Sequence, residues 1–169
     1  MNMTLRLICN ALGISGSAMF AGVMLAIGVT LGGYWKSLPP EGFLDWFSQN
    51  LHFIMRSITI VLVPTLVGMA GSLWSSWTDR SARNVWLAGS GCIVAILLIT
   101  MAYYLPSNAR FAGRSVPLEQ VPAALDTWLL LHNVRIALAA LASVLGVVAI
   151  SRERAGAEAK DSVLVSAAR

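Results

Sequence analysis

The sequence predicts an all-α membrane protein: a bundle of four transmembrane helices, with a short interfacial helix between the first and second spans. Three observations carry this. The 169 residues are 57% hydrophobic and 12% charged, with a mean hydropathy of +0.71, more apolar surface than a water-soluble fold of this size hides. Four apolar runs, Ala11 to Leu31, Phe53 to Trp74, Val85 to Leu105 and Thr127 to Ile150, are each long enough as helices to cross a hydrocarbon core about 30 Å thick. None alternates with period two, so helices rather than barrel strands satisfy the backbone in lipid.

Arg6 ahead of the apolar stretch Leu7 to Leu31 partly imitates a signal peptide. The stretch exceeds the roughly 7–15 residues of a cleaved signal and no cleavage pattern closes it, so it reads as an uncleaved first span. Within it Ala18, Gly22 and Ala26 repeat every four residues, as do Gly28 and Gly32, and Ala142 and Gly146 in the fourth span. Such stripes let helices approach closely, whether inside one bundle or in a homo-oligomer. In the connection Gly32 to His52, Pro39 and Pro40 precede Glu41 and open a helix. Phe43, Trp46 and Phe47 then fall at helical spacing, which predicts the short helix in the headgroup layer.

Pro64 predicts a kink in the second span, because its ring displaces a carbonyl and removes a donor. Ser75 to Asn84 is short and polar, a tight hairpin between spans two and three. Pro106 to Ala124, with Pro106, Gly113, Pro117 and Pro122, predicts a structured loop over the bundle. Ser151 to Arg169 is rich in alanine and charge and reads as a frayed helix or disordered tail. The organisation is one transmembrane domain over residues 1–150 and a cytoplasmic tail over 151–169.

Four spans place both termini on one side. That side holds seven basic residues, Arg6, Arg80, Arg83, Arg152, Arg154, Lys160 and Arg169, against three, Lys36, Arg110 and Arg114, on the other. The positive-inside rule puts both termini in the cytoplasm, with a bacterial inner membrane as the expected location. Trp74, Trp77 and Trp86 mark the inner interface, and Tyr34, Trp35, Trp46, Tyr103, Tyr104 and Trp128 the outer one.

The net charge of +4 is spread over short connections, which points to topology and lipids rather than to nucleic acid. Cys9 and Cys92 form no CxxC pair, and there is no GxSxG, HExxH, phosphate-binding glycine loop or run of acidic metal ligands. The costly polar groups gather at one level instead. His52 and Arg56 lie four apart, hence on one helical face; Trp128, His132 and Arg135 lie four and three apart on another. Tyr103, Tyr104 and Asn108 end the third span. Arg135 is roughly 22 Å along the helix from Ile150, deep enough to need water or a partner such as Asp126, Tyr103 or Tyr104.

An outward polar pocket follows, open to a lipophilic small molecule. In it a neutral imidazole can take a proton and an arginine can stabilise the resulting oxyanion, with no cofactor and no metal. Two alternatives stay open: an accessory lipid-binding bundle in which these groups only tie helix ends together, and axial ligation of a haem, or copper, by His52 and His132. The adjacent arginines disfavour a cationic metal.

The segments GYWKSLPPEGFLDWF, HFIMR, YYLPSN and LDTWLLLHNVR, taken in that order, resemble the anthrone oxygenase-like family of four-span membrane proteins over about Ser17 to Ile150. Pro106 and Asn108 followed by Trp128, His132 and Arg135 carry the resemblance most specifically. It implies an oxidoreductase that uses dioxygen on a phenol-like or quinone-like substrate. It also implies roles: His132 as general base, Arg135 as oxyanion partner, Asn108 as orienting group and Trp128 as aromatic wall. His52, Arg56, Tyr103 and Tyr104 follow as substrate-binding candidates.

Overall fold

The computed structural model describes residues 2–167. Among them there is no strand. The chain runs as four long helices, α1 (Met3–Ser37), α2 (Pro40–Ser75), α3 (Arg80–Ala112) and α4 (Val121–Ala167), with a 3₁₀ turn at Leu118–Gln120 leading into the last. Each contains an apolar stretch long enough to cross a membrane. The fold is a four-helix bundle.

Local chemistry sets the helix boundaries. The Asn2 side chain accepts from the Leu5 N–H at 2.8 Å and caps α1. Leu38 and Pro39 are extended, as residues before a proline must be, and Pro40 opens α2 where its missing N–H costs nothing. The Asp79 carboxylate accepts from the N–H groups of Ser81 and Ala82 and caps α3, which closes the tight α2–α3 hairpin. Gly113 follows the end of α3, and Arg114 then turns the chain with a φ of 52°.

Two connections differ from the expectation. No separate interfacial helix precedes span two: α2 runs unbroken from Pro40 through Pro64 to Ser75. Phe43, Leu44 and Phe47 are buried in the bundle rather than laid in the headgroup layer. Nothing between Gly42 and Pro64 interrupts helical hydrogen bonding, so propagation carries the first turns into the span. The region from Pro106 is likewise not a loop until Gly113, because α3 continues to Ala112. At the C-terminus, where the sequence left a frayed helix or a disordered tail open, α4 continues as helix to Ala167.

Helix α1 packs on α2 and on α4, α3 packs on α4, and α2 meets the far part of α3. The α1–α2 contact is backbone on backbone. A Cβ on Gly68 would lie 2.1 Å from the Gly13 nitrogen, and one on Gly16 would lie 2.7 Å from Thr65 Oγ1. The glycines that pack are therefore not all those of the expected stripe. Ala18, Gly22 and Ala26 are exposed, and a Cβ on Gly22 would meet nothing within 4 Å. Gly28 and Gly32 do face α4, and Gly146 sits against Ile14 and Trp86. Several residues expected at the interfaces are core: Trp35, Trp86, Tyr104 and Trp128 are buried, while Tyr34, Trp74 and Trp77 are exposed.

The end that holds the N-terminus and the α2–α3 turn, here the proximal end, is tied by a single carboxylate. Glu153 of α4, 9% exposed, pairs with Arg6 at 2.6 Å and accepts hydrogen bonds from Ser76 and from Asn10. It joins α1, the α2–α3 turn and α4. Glu153→Ala is expected to cost about 2–3 kcal/mol, because hydrogen bonds to a charged acceptor are lost and buried donors are left unpaired. Thermal unfolding in lipid nanodiscs measures it; a change below about 0.5 kcal/mol, the effect of a neutral surface substitution, would contradict it.

Candidate functional site

Near the opposite, distal end, Trp128, His132 and Arg135 share one face of α4, as the spacing predicted, and that face is turned into the bundle. His132 is 1% exposed and Arg135 3%. His132 lies roughly 32 Å along α4 from Glu153, close to the thickness of a hydrocarbon core, so the two buried polar clusters sit near opposite faces of the apolar zone.

The His132 ring is fixed on both sides. Its Nε2 lies 2.7 Å from the Met24 carbonyl of α1. A carbonyl only accepts, so Nε2 carries hydrogen, and in the neutral ring Nδ1 keeps a lone pair. That Nδ1 is buried without a partner. Trp128 stacks on the ring at 4.8 Å and 14°. A Cβ on Gly28 would lie 3.0 Å from His132 Cδ2, so this glycine makes room for the imidazole. Trp128 is itself held, its indole N–H donating to Asn108 Oδ1 at 2.9 Å and its carbonyl accepting from the Tyr104 hydroxyl at 2.8 Å.

Arg135 lies over the Tyr104 ring, its Cζ 4.0 Å from the centroid, and one nitrogen reaches Met24 Sδ at 3.6 Å. Its Nε–H has no partner. Asp126, one of the partners considered from the sequence, pairs with Lys36 at 2.7 Å instead. Among the described residues no carboxylate pairs with Arg135. The cation is therefore balanced by the π-face and by soft sulfur, an arrangement that leaves it free to meet an anion formed nearby.

Both helices facing α4 here widen for one turn. Ile27–Leu31 of α1 and Thr100–Tyr104 of α3 are π-helical. The first follows Met24 and contains Gly28; the second ends on Tyr104. Pro106 explains the second, since its ring presses on the carbonyl of Ala102 and a wider turn relieves the clash. Single-turn π segments recur at functional sites.

The remaining sequence candidates fall elsewhere. His52 is exposed with its ring 3.9 Å from that of Phe53, and Arg56 is exposed on the same face of α2. The two histidines are not brought together: one faces outward and the other is enclosed, so they do not form an axial pair. Tyr103 is half-buried, 5.4 Å from the Tyr104 ring, and lines a separate small cavity with Ser107 and Arg110. The pocket expected to open outward is not seen there, because His132 and Arg135 are enclosed within the bundle. Trp35, 1% exposed, stands edge-on to Trp128 at 5.4 Å and covers it. Sequence reasoning missed Met24, Gly28 and Trp35 as parts of the site. A backbone carbonyl leaves no mark in the sequence, and Trp35 was read as an interfacial residue.

Tyr104→Leu removes both the ring under Arg135 and the hydroxyl on Trp128, and is expected to cost about 3 kcal/mol, against about 1 kcal/mol for Tyr104→Phe, which keeps the ring. Equal thermal stabilities for the two variants would refute the cation–π assignment.

A family model described as anthrone oxygenase matches residues 43–145, more than half of the chain. The chain belongs to the anthrone oxygenase family. In this anthrone oxygenase family member the matched segment holds Tyr104, Asn108, Trp128, His132 and Arg135, while Met24, Gly28 and Trp35 are added by α1 from outside it. No curated protein and no solved structure matches the chain.

Proposed function

We propose that this protein is a membrane oxidoreductase that oxidises a lipophilic phenol-like or quinone-like aromatic with dioxygen, at His132 and Arg135. The observation that carries the reading is the buried, unpartnered Nδ1 of His132, one helical turn from the unpartnered Nε–H of Arg135. With an anthrone as substrate, Nδ1 takes a proton from the ring methylene and the negative charge moves to the carbonyl oxygen, where Arg135 stabilises it. The carbanion gives its electrons to dioxygen. The hydroperoxide formed at that carbon loses water and leaves a second carbonyl, so one CH₂ and one O₂ become one C=O and one H₂O. Asn108 keeps Trp128 in place as the wall against which the substrate lies.

The test is oxygen consumption by the purified protein in nanodiscs supplied with anthrone. One dioxygen consumed per anthraquinone formed, above the spontaneous rate, supports the reading; no acceleration overturns it. The enclosure of the site favours a second reading, a bundle that holds a lipophilic ligand without transforming it, and retention of anthrone without turnover would support that one. We take the proximal end as cytoplasmic, in a bacterial inner membrane, from the excess of basic residues there. Membrane lipids and a lipophilic small molecule are the expected partners, and the exposed Ala18, Gly22 and Ala26 are the surface on which a homo-oligomer would pack.

A further inference from the structure

The site around His132 makes no use of His52 and Arg56, which lie exposed on one face of α2. The proximal end fixes their depth. Ser76 bonds Glu153 there, and by helical rise Arg56 lies roughly 30 Å along α2 from Ser76, at the distal edge of the apolar zone. No charged residue stands between Arg56 and Asp79. Among the described residues no carboxylate pairs with Arg56. Phe53 and Ser57, which flank Arg56 on the helix, line a groove of about 210 Å³ between α1 and α2, walled further by Ile27, Leu31, Trp46 and Ile54. The His52 ring lies against that of Phe53 at 3.9 Å, so the two basic side chains stand at the lip of the groove.

We propose that this groove and its basic lip bind one anionic phospholipid of the distal leaflet: the upper part of an acyl chain and the glycerol lie in the groove, and the phosphate lies on Arg56 and His52. The depth calls for an amphiphile. The groove runs from Ser57, roughly 28 Å along α2 from Ser76, to Trp46, roughly 45 Å from it, and so crosses from hydrocarbon into the headgroup layer. Its two polar members bond their own helix, Asn50 Nδ2 donating to the Trp46 carbonyl at 2.8 Å and the Ser57 hydroxyl to the Phe53 carbonyl at 2.9 Å. The wall left to the occupant is apolar. Helical side chains lean toward the N-terminus, which in α2 is the distal end, so Arg56 reaches toward the headgroups rather than into the bilayer. Its guanidinium fork suits two oxygens of a phosphate, and His52 adds an N–H one turn further out. The surroundings set the sign of the headgroup. Helix α1 has no acidic residue, and Asp45, the nearest acid on α2, is paired with Arg114. The lip is thus positive with no protein counter-ion, and a headgroup of net negative charge supplies one. The lipid site stands whether or not His132 oxidises anthrone.

Native mass spectrometry of the full chain, released from maltoside micelles and titrated with phosphatidylglycerol or with phosphatidylcholine of the same acyl chains, reads the affinity of the first lipid bound. The parent chain is expected to hold phosphatidylglycerol about fivefold more tightly than phosphatidylcholine, and Arg56→Gln is expected to remove that preference. Ser57→Trp, which fills the lower end of the groove, is expected to weaken both lipids about tenfold. Both positions are exposed, and Arg56→Gln decides alone should Ser57→Trp fail to assemble. Arg80→Gln, at the proximal end, leaves both affinities as they are. Equal affinity of the parent chain for the two lipids overturns the proposal. So does a preference for phosphatidylglycerol that survives Arg56→Gln, or one that Arg80→Gln removes instead, since the lipid would then sit elsewhere. Unchanged affinities in folded Ser57→Trp would take the acyl chain out of the groove and overturn it as well.

Discussion

His132→Gln is expected to fold and to oxidise anthrone about 10²–10⁴-fold more slowly than the parent chain, the range associated with removing a positioned general base. Glutamine keeps an N–H for the Met24 carbonyl and nearly fills the volume under Trp128, but carries no basic nitrogen. The loss should appear in kcat with KM little changed, because the ring acts on the proton rather than on binding. A kcat within about threefold of the parent would remove His132 from the chemistry. Arg135→Met separates charge from packing. It is expected to slow turnover about 10²–10³-fold while leaving thermal stability equal or higher, since a buried cation without a carboxylate partner is costly to keep. If Arg135→Met slowed nothing, Arg135 would be a structural residue.

Gly68→Leu is expected to prevent assembly of the bundle. A Cβ alone at that position would lie 2.1 Å from the Gly13 nitrogen and 2.5 Å from the Leu12 carbonyl carbon, and both are backbone atoms that yield only if α1 and α2 separate. Separation would undo the glycine and threonine contacts from Gly13 to Gly71 together, a loss of about 3 kcal/mol or more. Gly22→Ala, whose Cβ would enter open space, is the control and is expected to change stability by less than about 0.5 kcal/mol. Co-purification of the Leu variant in a monodisperse, helical, thermally cooperative state would contradict the packing described.

The four spans were legible because lipid demands them: about twenty apolar residues in a row have few other uses. The site was legible in α4 for a related reason. Buried positions there step by four and three from Val121 through Leu125, Trp128, His132 and Arg135, and the same steps continue through Ala139, Ala142, Gly146 and Ala149 to Glu153. Extending the stride from the three site residues would have found Glu153, which composition hid inside a charged tail. In α2 the same stride passes through Phe47, Ile54, Val61, Thr65, Gly68 and Ser72 and misses His52 and Arg56. Those two share a face, as their spacing required, but it is the face turned away from the core. Spacing says which residues go together; only the run of apolar neighbours says where that face looks. Contacts made by main-chain atoms, such as the Met24 carbonyl, have no such signature, and neither does the covering of Trp128 by Trp35.

The two wide turns have a consequence for how the distal end is put together. Each holds one residue more than an α-helical turn, and each extra residue rotates everything beyond it by about 100°. In α1 the inward positions jump from Ile27 to Gly32 and Trp35, and in α3 from Ile96 to Tyr104, Asn108 and Phe111. Were both turns regular α-helix with every residue kept, Tyr34 rather than Trp35, and Tyr103 rather than Tyr104, would point at α4. A one-residue deletion in either turn would thus remove the extra residue and leave Trp35 or Tyr104 facing α4, whereas tightening the turn with all its residues kept would act as a change of phase and swap the aromatic side chains that meet Trp128 and Arg135.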